Sequence, residues 1–201
     1  MKTINEETLR EGVNHLIQID PQLRQVVEKH GPPPVWVRAQ GFPSLVKIIL
    51  EHARASSAYQ KLEQRIEAIA LENFLTLTDE ELKKIGFSRQ KTGYCRHLAR
   101  SIQEKRIELE PLNEMADDEV IQVLTSLKGI GPWTAGIYTL MALGRPDVWP
   151  QGDLALLKAM KEVKKLETVP NNETAKKIAE CWSPWRAVAA RILWHHYLST
   201  R

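Results

Sequence analysis

Two short stretches of this chain hold residue types that can do chemistry. One is Trp149-Pro150-Gln151-Gly152-Asp153-Leu154, where an acid follows a glycine and precedes an apolar-periodic run through Leu156, Leu157, Met160 and Val163. A carboxylate at a helix start meets the positive end of the peptide dipoles, which favours the anion. Such an anion can stabilise a developing cation and orient or deprotonate a water. Taken alone, Asp153 also reads as an ordinary N-cap, because Asp is a preferred capping residue. The other stretch is Leu127-Lys128-Gly129-Ile130-Gly131-Pro132-Trp133-Thr134-Ala135. Two glycines around one apolar residue let the backbone turn tightly and come close to a ligand. Pro132 suits the first turn of a helix, so the turn delivers backbone N–H groups and a helix N-terminus, a ready phosphate site. A bare Gly-x-Gly between helices is also a common connection.

The elements that position these residues are helices. Leu9, Val13, Leu16 and Ile17 share a face over Asn5–Ile19, and Asp20 can cap a helix opened by Pro21. Gly31 and Pro32-Pro33-Pro34 break that helix, and Pro43 starts another through Leu50. Ala58–Ala70 carries Leu62, Ile66 and Ile69 at helical spacing. Thr78-Asp79-Glu80-Glu81 reads as a helix start with Gly86 as its stop, followed by a long basic helix over Ser88–Glu104. Asp117 is expected to cap Asp118–Ser126, Pro170-Asn171-Asn172 to lead into a helix reaching Cys181, and Pro184 to open the last one through Leu198. Val35-Trp36-Val37 is too short to seed a sheet. The expected fold is all-α, one compact multi-helix domain over 1–201.

Bulk composition narrows the function classes. A formal net charge of +3 permits a nucleic-acid partner but requires that contact come from a local patch. The two cysteines, Cys95 and Cys181, cannot hold an iron–sulfur cluster, which takes four, and they point to an intracellular protein. No apolar run reaches the ~20 residues of a membrane span, and Glu6 and Glu7 argue against a signal peptide. No spacing suggests a zinc site.

The Leu127–Ala135 stretch resembles the hairpin of the helix-hairpin-helix (HhH-GPD) DNA glycosylase superfamily, in its 3-methyladenine glycosylase II-like branch. Three further segments match in the family's order. They are Gly86-Phe87-Ser88-Arg89-Gln90-Lys91, the Trp149–Leu154 stretch, and Trp182-Ser183-Pro184-Trp185-Arg186. The resemblance implies a two-lobed fold with an active-site cleft between the lobes, a helix-hairpin-helix at about 117–142 and no extra N-terminal β domain. It implies a monomeric enzyme acting on double-stranded DNA, with Asp153 as the catalytic carboxylate. Asp147, Asp117 and Asp118 then read as solvated or capping residues. Bifunctional relatives place a nucleophilic lysine where this chain has Trp133. Indole cannot form a Schiff base, so water is the expected nucleophile and base release the only step.

The same resemblance assigns the remaining candidates. Alkylated purines that carry positive charge, such as 3-methyladenine and 7-methylguanine, gain from electron-rich aromatic faces. Six tryptophans are present. Trp133 and Trp194 align with pocket tryptophans, a pocket tyrosine falls at Ile137, and Tyr138 is adjacent. Trp36, Trp149, Trp182 and Trp185 read as core, and His195-His196 as a favourable helix end. Lys128, Gly129, Ile130 and Gly131, with Arg89 and Lys91, are the expected phosphate contacts. No organic cofactor is expected. A sodium or potassium ion held by backbone carbonyls near Thr125, Leu127 and Ile130 is. Where the family plugs the gap left by a flipped base, this chain reads Glu51-His52-Ala53-Arg54-Ala55. Alanine is too small for that task, so His52 or Arg54 would serve as the wedge. The alternative is a non-catalytic or narrowed-specificity DNA-binding protein.

Overall fold

Helix α1 (Glu6–Ile19) begins at Asn5, whose side chain accepts the Thr8 N–H while Thr8 Oγ1 accepts the Asn5 N–H. Such a reciprocal cap satisfies two groups that a helix end otherwise leaves unpaired. Asp20 closes the short link to α2 (Pro21–His30), accepting the N–H groups of Gln22 and Leu23 at 3.1 Å each. The computed structural model describes residues 2–51 and 56–201. Among them it places twelve α-helices, one 3-10 turn (Pro111–Asn113) and no strand, as the apolar periodicity predicts.

The chain forms two compact units. The first comprises Met1–Val37 and Thr139–Arg201, the second Arg38–Tyr138. The second contains α3 (Phe42–Glu51), α4 (Ser56–Arg65), α5 (Leu71–Thr76), α6 (Asp79–Lys84), α7 (Arg89–Gln103) and α8 (Asp117–Thr125). Helix α9 (Pro132–Met141) starts in the second unit and ends in the first. The first unit continues with α10 (Leu154–Val163), α11 (Asn172–Glu180) and α12 (Arg186–Ser199).

In the second unit α3 packs on α4 and α7, and α5 and α6 pack on α7. Its interior is apolar: Leu45, Ile48, Leu50, Leu62, Phe74, Leu82 and Leu98 are all buried. Phe42 and Phe74 meet edge to face with centroids 5.5 Å apart. Burying a side chain of this size contributes roughly 1.5–3 kcal/mol.

In the first unit α12 packs against α1, α2, α10 and α11. Its core is more polar. Trp182 is fully buried, and its indole N–H donates to Asp20 Oδ2 at 2.7 Å. Lys164 Nζ reaches the same oxygen at 2.6 Å. Arg191 is fully buried as well. Its guanidinium donates to the carbonyls of Val35 (2.7 Å), Ala187 (3.1 Å) and Leu140 (3.2 Å). Burial pushes its pKa down to about 10, which leaves it charged at neutral pH.

Three expected boundaries move, and one helix is unforeseen. Helix α4 stops at Arg65 rather than Ala70, so Ile66 and Ile69 continue the apolar spacing into a turn. Helix α5 has no counterpart in the sequence reading. It is six residues long, buries only Phe74, and starts at Ala70 without a side-chain cap. Asp117 is the first residue of α8, not its cap. The cap is Ala116, whose N–H donates to Glu119 Oε2 at 3.0 Å. Helix α12 opens at Arg186, after a turn that contains Pro184.

Candidate active site and hairpin

Asp153 stands where its sequence context puts it, at the N-cap of α10. Gly152 before it has φ +79°, a backbone region that favours glycine. The Gly152 N–H donates to Asn172 Oδ1 at 3.0 Å, which ties the turn to the start of α11. Asp153 is half-buried. Its Oδ1 accepts the Leu156 N–H at 2.9 Å and the Trp194 indole N–H at 3.3 Å. Capping and candidate catalysis thus use the same carboxylate, and the two readings of Asp153 do not compete. The contact joins two predicted residues that lie on different helices of the first unit. Trp194 is 8% exposed on α12. Leu154, the next residue after Asp153, is 69% exposed and offers apolar surface beside the carboxylate, which sequence inspection did not single out.

Asp147 is half-buried and engaged at the start of α12. It accepts from Arg186 Nε and a second guanidinium N–H at 2.9 Å each, from Ser183 Oγ at 2.8 Å and from the Arg186 backbone N–H at 3.2 Å. It therefore fixes the first turn of α12 and, through that helix, Trp194. The expectation for the other tryptophans splits. Trp149, Trp182 and Trp185 are buried, and Trp36 is half-buried. His195 Nε2 lies 2.9 Å from the His30 carbonyl and His196 Nε2 3.2 Å from Glu162 Oε2, so both rings are engaged at the end of α12.

The hairpin lies in the second unit. Leu127 and Ile130 are buried anchors, with the Ile130 N–H donating to the Leu127 carbonyl at 3.1 Å. Lys128 between them is exposed. Gly129 has φ +92° and is a backbone requirement. Gly131 is not: its φ lies outside that region, and a Cβ there would find no described atom within 4 Å. Its Cα faces open space at the start of α9, whose first helical bond runs from the Ala135 N–H to the Gly131 carbonyl at 3.0 Å. A helix leaves the N–H groups of its first turn without acceptors of its own. Half-buried Trp133 and both glycines line a hollow of about 460 Å³ with Gln90, Lys91 and Tyr94 of α7.

The other predicted contacts disperse. Arg89 is exposed and borders a separate hollow with Asp79, Lys83 and Ser88. Lys91 is turned inward: its Nζ donates to the Leu50 carbonyl at the end of α3, 2.5 Å away, and burial lowers its pKa. Ile137 is 3% exposed. Tyr138 is fully buried, its hydroxyl accepting the Gly41 N–H at 2.9 Å, so its ring presents no face to a ligand. The wedge candidates His52, Ala53 and Arg54 lie outside the described residues. Among the described residues no group of three or more His, Cys, Asp or Glu is placed to hold a metal ion. Among the described residues no helix is long and apolar enough to cross a membrane.

Known proteins resemble this geometry along most of the chain. YfjP of Bacillus subtilis is 27% identical over 184 residues, covering 86% of this chain, which spans 64% of that relative's length. DNA-3-methyladenine glycosylase 1 of Schizosaccharomyces pombe is 26% identical over 192 residues, covering 90% of this chain and 84% of the relative. The crystal structure of a DNA-3-methyladenine glycosidase from Bacillus halodurans superposes with a TM-score of 0.76 at 28% identity, covering 96% of this chain and 91% of that one. The family model of the HhH-GPD superfamily base excision DNA repair proteins matches residues 50–184, a span that holds both the hairpin and Asp153, and the chain belongs to that superfamily.

Proposed function

We propose that this chain is a monofunctional DNA glycosylase that hydrolyses the N-glycosidic bond of alkylated purines of the 3-methyladenine and 7-methylguanine class in duplex DNA. The observation that carries the reading is the contact between Asp153 and Trp194, which sets an indole within hydrogen-bond reach of the candidate carboxylate. Cleavage of the bond builds oxocarbenium character on the sugar, which a nearby carboxylate stabilises while it orients or deprotonates the attacking water. The Leu156 N–H and the Trp194 indole N–H hold Asp153 in one orientation for that work. The electron-rich face of Trp194 suits a purine that carries positive charge. Trp133 has no amine, so base release ends the reaction. The names of the relatives, DNA-3-methyladenine glycosylases, support the same substrate class.

The hairpin grips the phosphate backbone without reading sequence. Gly131 supports this, because neither backbone conformation nor packing within the described residues asks for a glycine there. What a Cβ would obstruct is an incoming ligand. A sodium or potassium ion would be held by backbone carbonyls near Thr125, Leu127 and Ile130, since hard cations take oxygen ligands. The Leu127 carbonyl, which accepts the Ile130 N–H, keeps a second lone pair. Such an ion would add positive charge where a phosphate arrives.

Incubation with duplex DNA carrying 3-methyladenine or 7-methylguanine tests the reading. Free base should appear with the wild type and vanish with Asp153→Asn, and borohydride should trap no covalent adduct. Duplex binding without base release by the wild type would refute catalysis. A trapped adduct would refute the monofunctional label.

A further inference from the structure

We propose that Tyr94 is a positioning residue of the hairpin, its ring bracing Gly129 and fixing the backbone of the turn. The proposal rests on the reading of Gly129–Gly131 as a phosphate grip. Tyr94 projects from the middle of α7, half-buried. A Cβ added at Gly129 would lie 2.6 Å from the Tyr94 Cβ and nearer still to its ring. The left-handed turn and the ring therefore fit each other, and neither tolerates a larger neighbour. The ring itself is held. Gln90, one turn earlier on α7, donates its side-chain N–H to the Tyr94 hydroxyl at 2.6 Å. Lys91 ties this part of α7 to the end of α3 through the Leu50 carbonyl. Cys95 and Leu98 sink the helix into the core.

Among the described residues, the hairpin's other anchors are Leu127 and Ile130. Between them lie only Lys128, which is exposed, and Gly129. A phosphate grip made of backbone N–H groups works only if they point to one place, so a loose turn costs affinity at every sequence alike. A tyrosine that merely filled space would stabilise the fold and leave this geometry unchanged.

The test uses the full chain with Tyr94→Leu, which keeps apolar bulk on the helix but lacks the flat ring, and Tyr94→Phe, which keeps the ring. Amide hydrogen exchange is followed in the free protein, and binding to undamaged and 7-methylguanine duplexes is measured by anisotropy. In Tyr94→Leu, exchange over 126–132 should rise ~10-fold, while 154–163 stays unchanged. Affinity for both duplexes should fall by the same ~5-fold. Tyr94→Phe should restore both within about twofold. Unchanged hairpin exchange in Tyr94→Leu, a general rise across the chain, or failure of Tyr94→Phe to rescue would each overturn the bracing role. No binding of either duplex by the wild type would overturn the phosphate reading itself, a result separable from the exchange data.

Discussion

The unit that carries Asp153 buries charged side chains between its helices, whereas in the unit that carries the hairpin the buried polar residues, among those described, are small hydroxyls set in apolar packing. In the first, buried Asp20 joins Lys164 and Trp182 and buried Arg191 spans three carbonyls, while half-buried Asp147 clamps Arg186. In the second, Leu and Phe side chains fill the core, and the ion pairs Arg38–Glu51 and Arg96–Asp79 sit at its partly exposed margin. Under the proposed function, the difference suits what each unit would present. A catalytic carboxylate needs one orientation, and satisfied polar networks specify orientation. A phosphate grip needs backbone shape, which a left-handed glycine and a packed ring can supply.

Asp153→Asn tests that contrast hardest. Asn caps helices about as well as Asp, so the melting temperature should stay within ~2 °C. Base release in single turnover should fall ~10³-fold, with duplex affinity barely changed. A large loss of stability would show that Asp153 is chiefly structural. Asp20→Ala comes next, leaving half-buried Lys164 without its carboxylate, though still bonded to Gln22 Oε1. It should cost about 3 kcal/mol in urea unfolding. Burial by itself would raise the Asp20 carboxyl, but the bonds from Lys164, Trp182 and the Leu23 N–H together hold it below its usual range. Its stabilising contribution is therefore complete above about pH 4 and lost as pH falls through the lower folded value. Wild-type unfolding free energy should drop over that acidic window, and Asp20→Asn should flatten the drop.

Trp194→Phe keeps much of the aromatic face and removes the donor to Asp153. Single-turnover base release should fall ~10-fold. The same change in the Asp153→Asn background should add almost nothing, since groups that act as a unit are not additive. An additive effect would mean that Trp194 acts on the base alone. The smallest expected effect belongs to Lys91→Met, which removes the donor to the Leu50 carbonyl but keeps the apolar stem. It should cost ~1 kcal/mol of stability. A fall in salt dependence of DNA binding would instead restore Lys91 to the phosphate contacts.

Much of the fold was legible because helix starts are chemical. Asp20, Thr78, Ser88, Asp153 and Asn171 each cap the helix that follows, as their types foretell. Helix α5 was not legible, because one and a half turns around a single buried Phe74 leave no periodicity to read. At Ala116 the cap belongs to the backbone and to Glu119, so the nearest acid, Asp117, misleads. The site divides similarly. Asp153 and Gly129 could be found from residue type and spacing. Tyr94 could not, since a tyrosine in a basic helix carries no sign of which glycine it will meet. The inward turn of Lys91 was hidden for the same reason: the Leu50 carbonyl that it meets is 41 positions away.

The path of the chain through its two units bears on the order in which they can form. Arg38–Tyr138 is continuous, but Met1–Val37 has its partners in Thr139–Arg201. Helices α1 and α2 leave the ribosome before Arg38–Tyr138, and α12, against which both pack, leaves after it. Segments that complete a unit early fold as it emerges. The hairpin unit can thus be finished during synthesis, while Leu9, Val13 and Leu23 wait uncovered until α12 arrives. Nascent chains halted after Tyr138 should accordingly show a protease-resistant second unit and a cleavable α1.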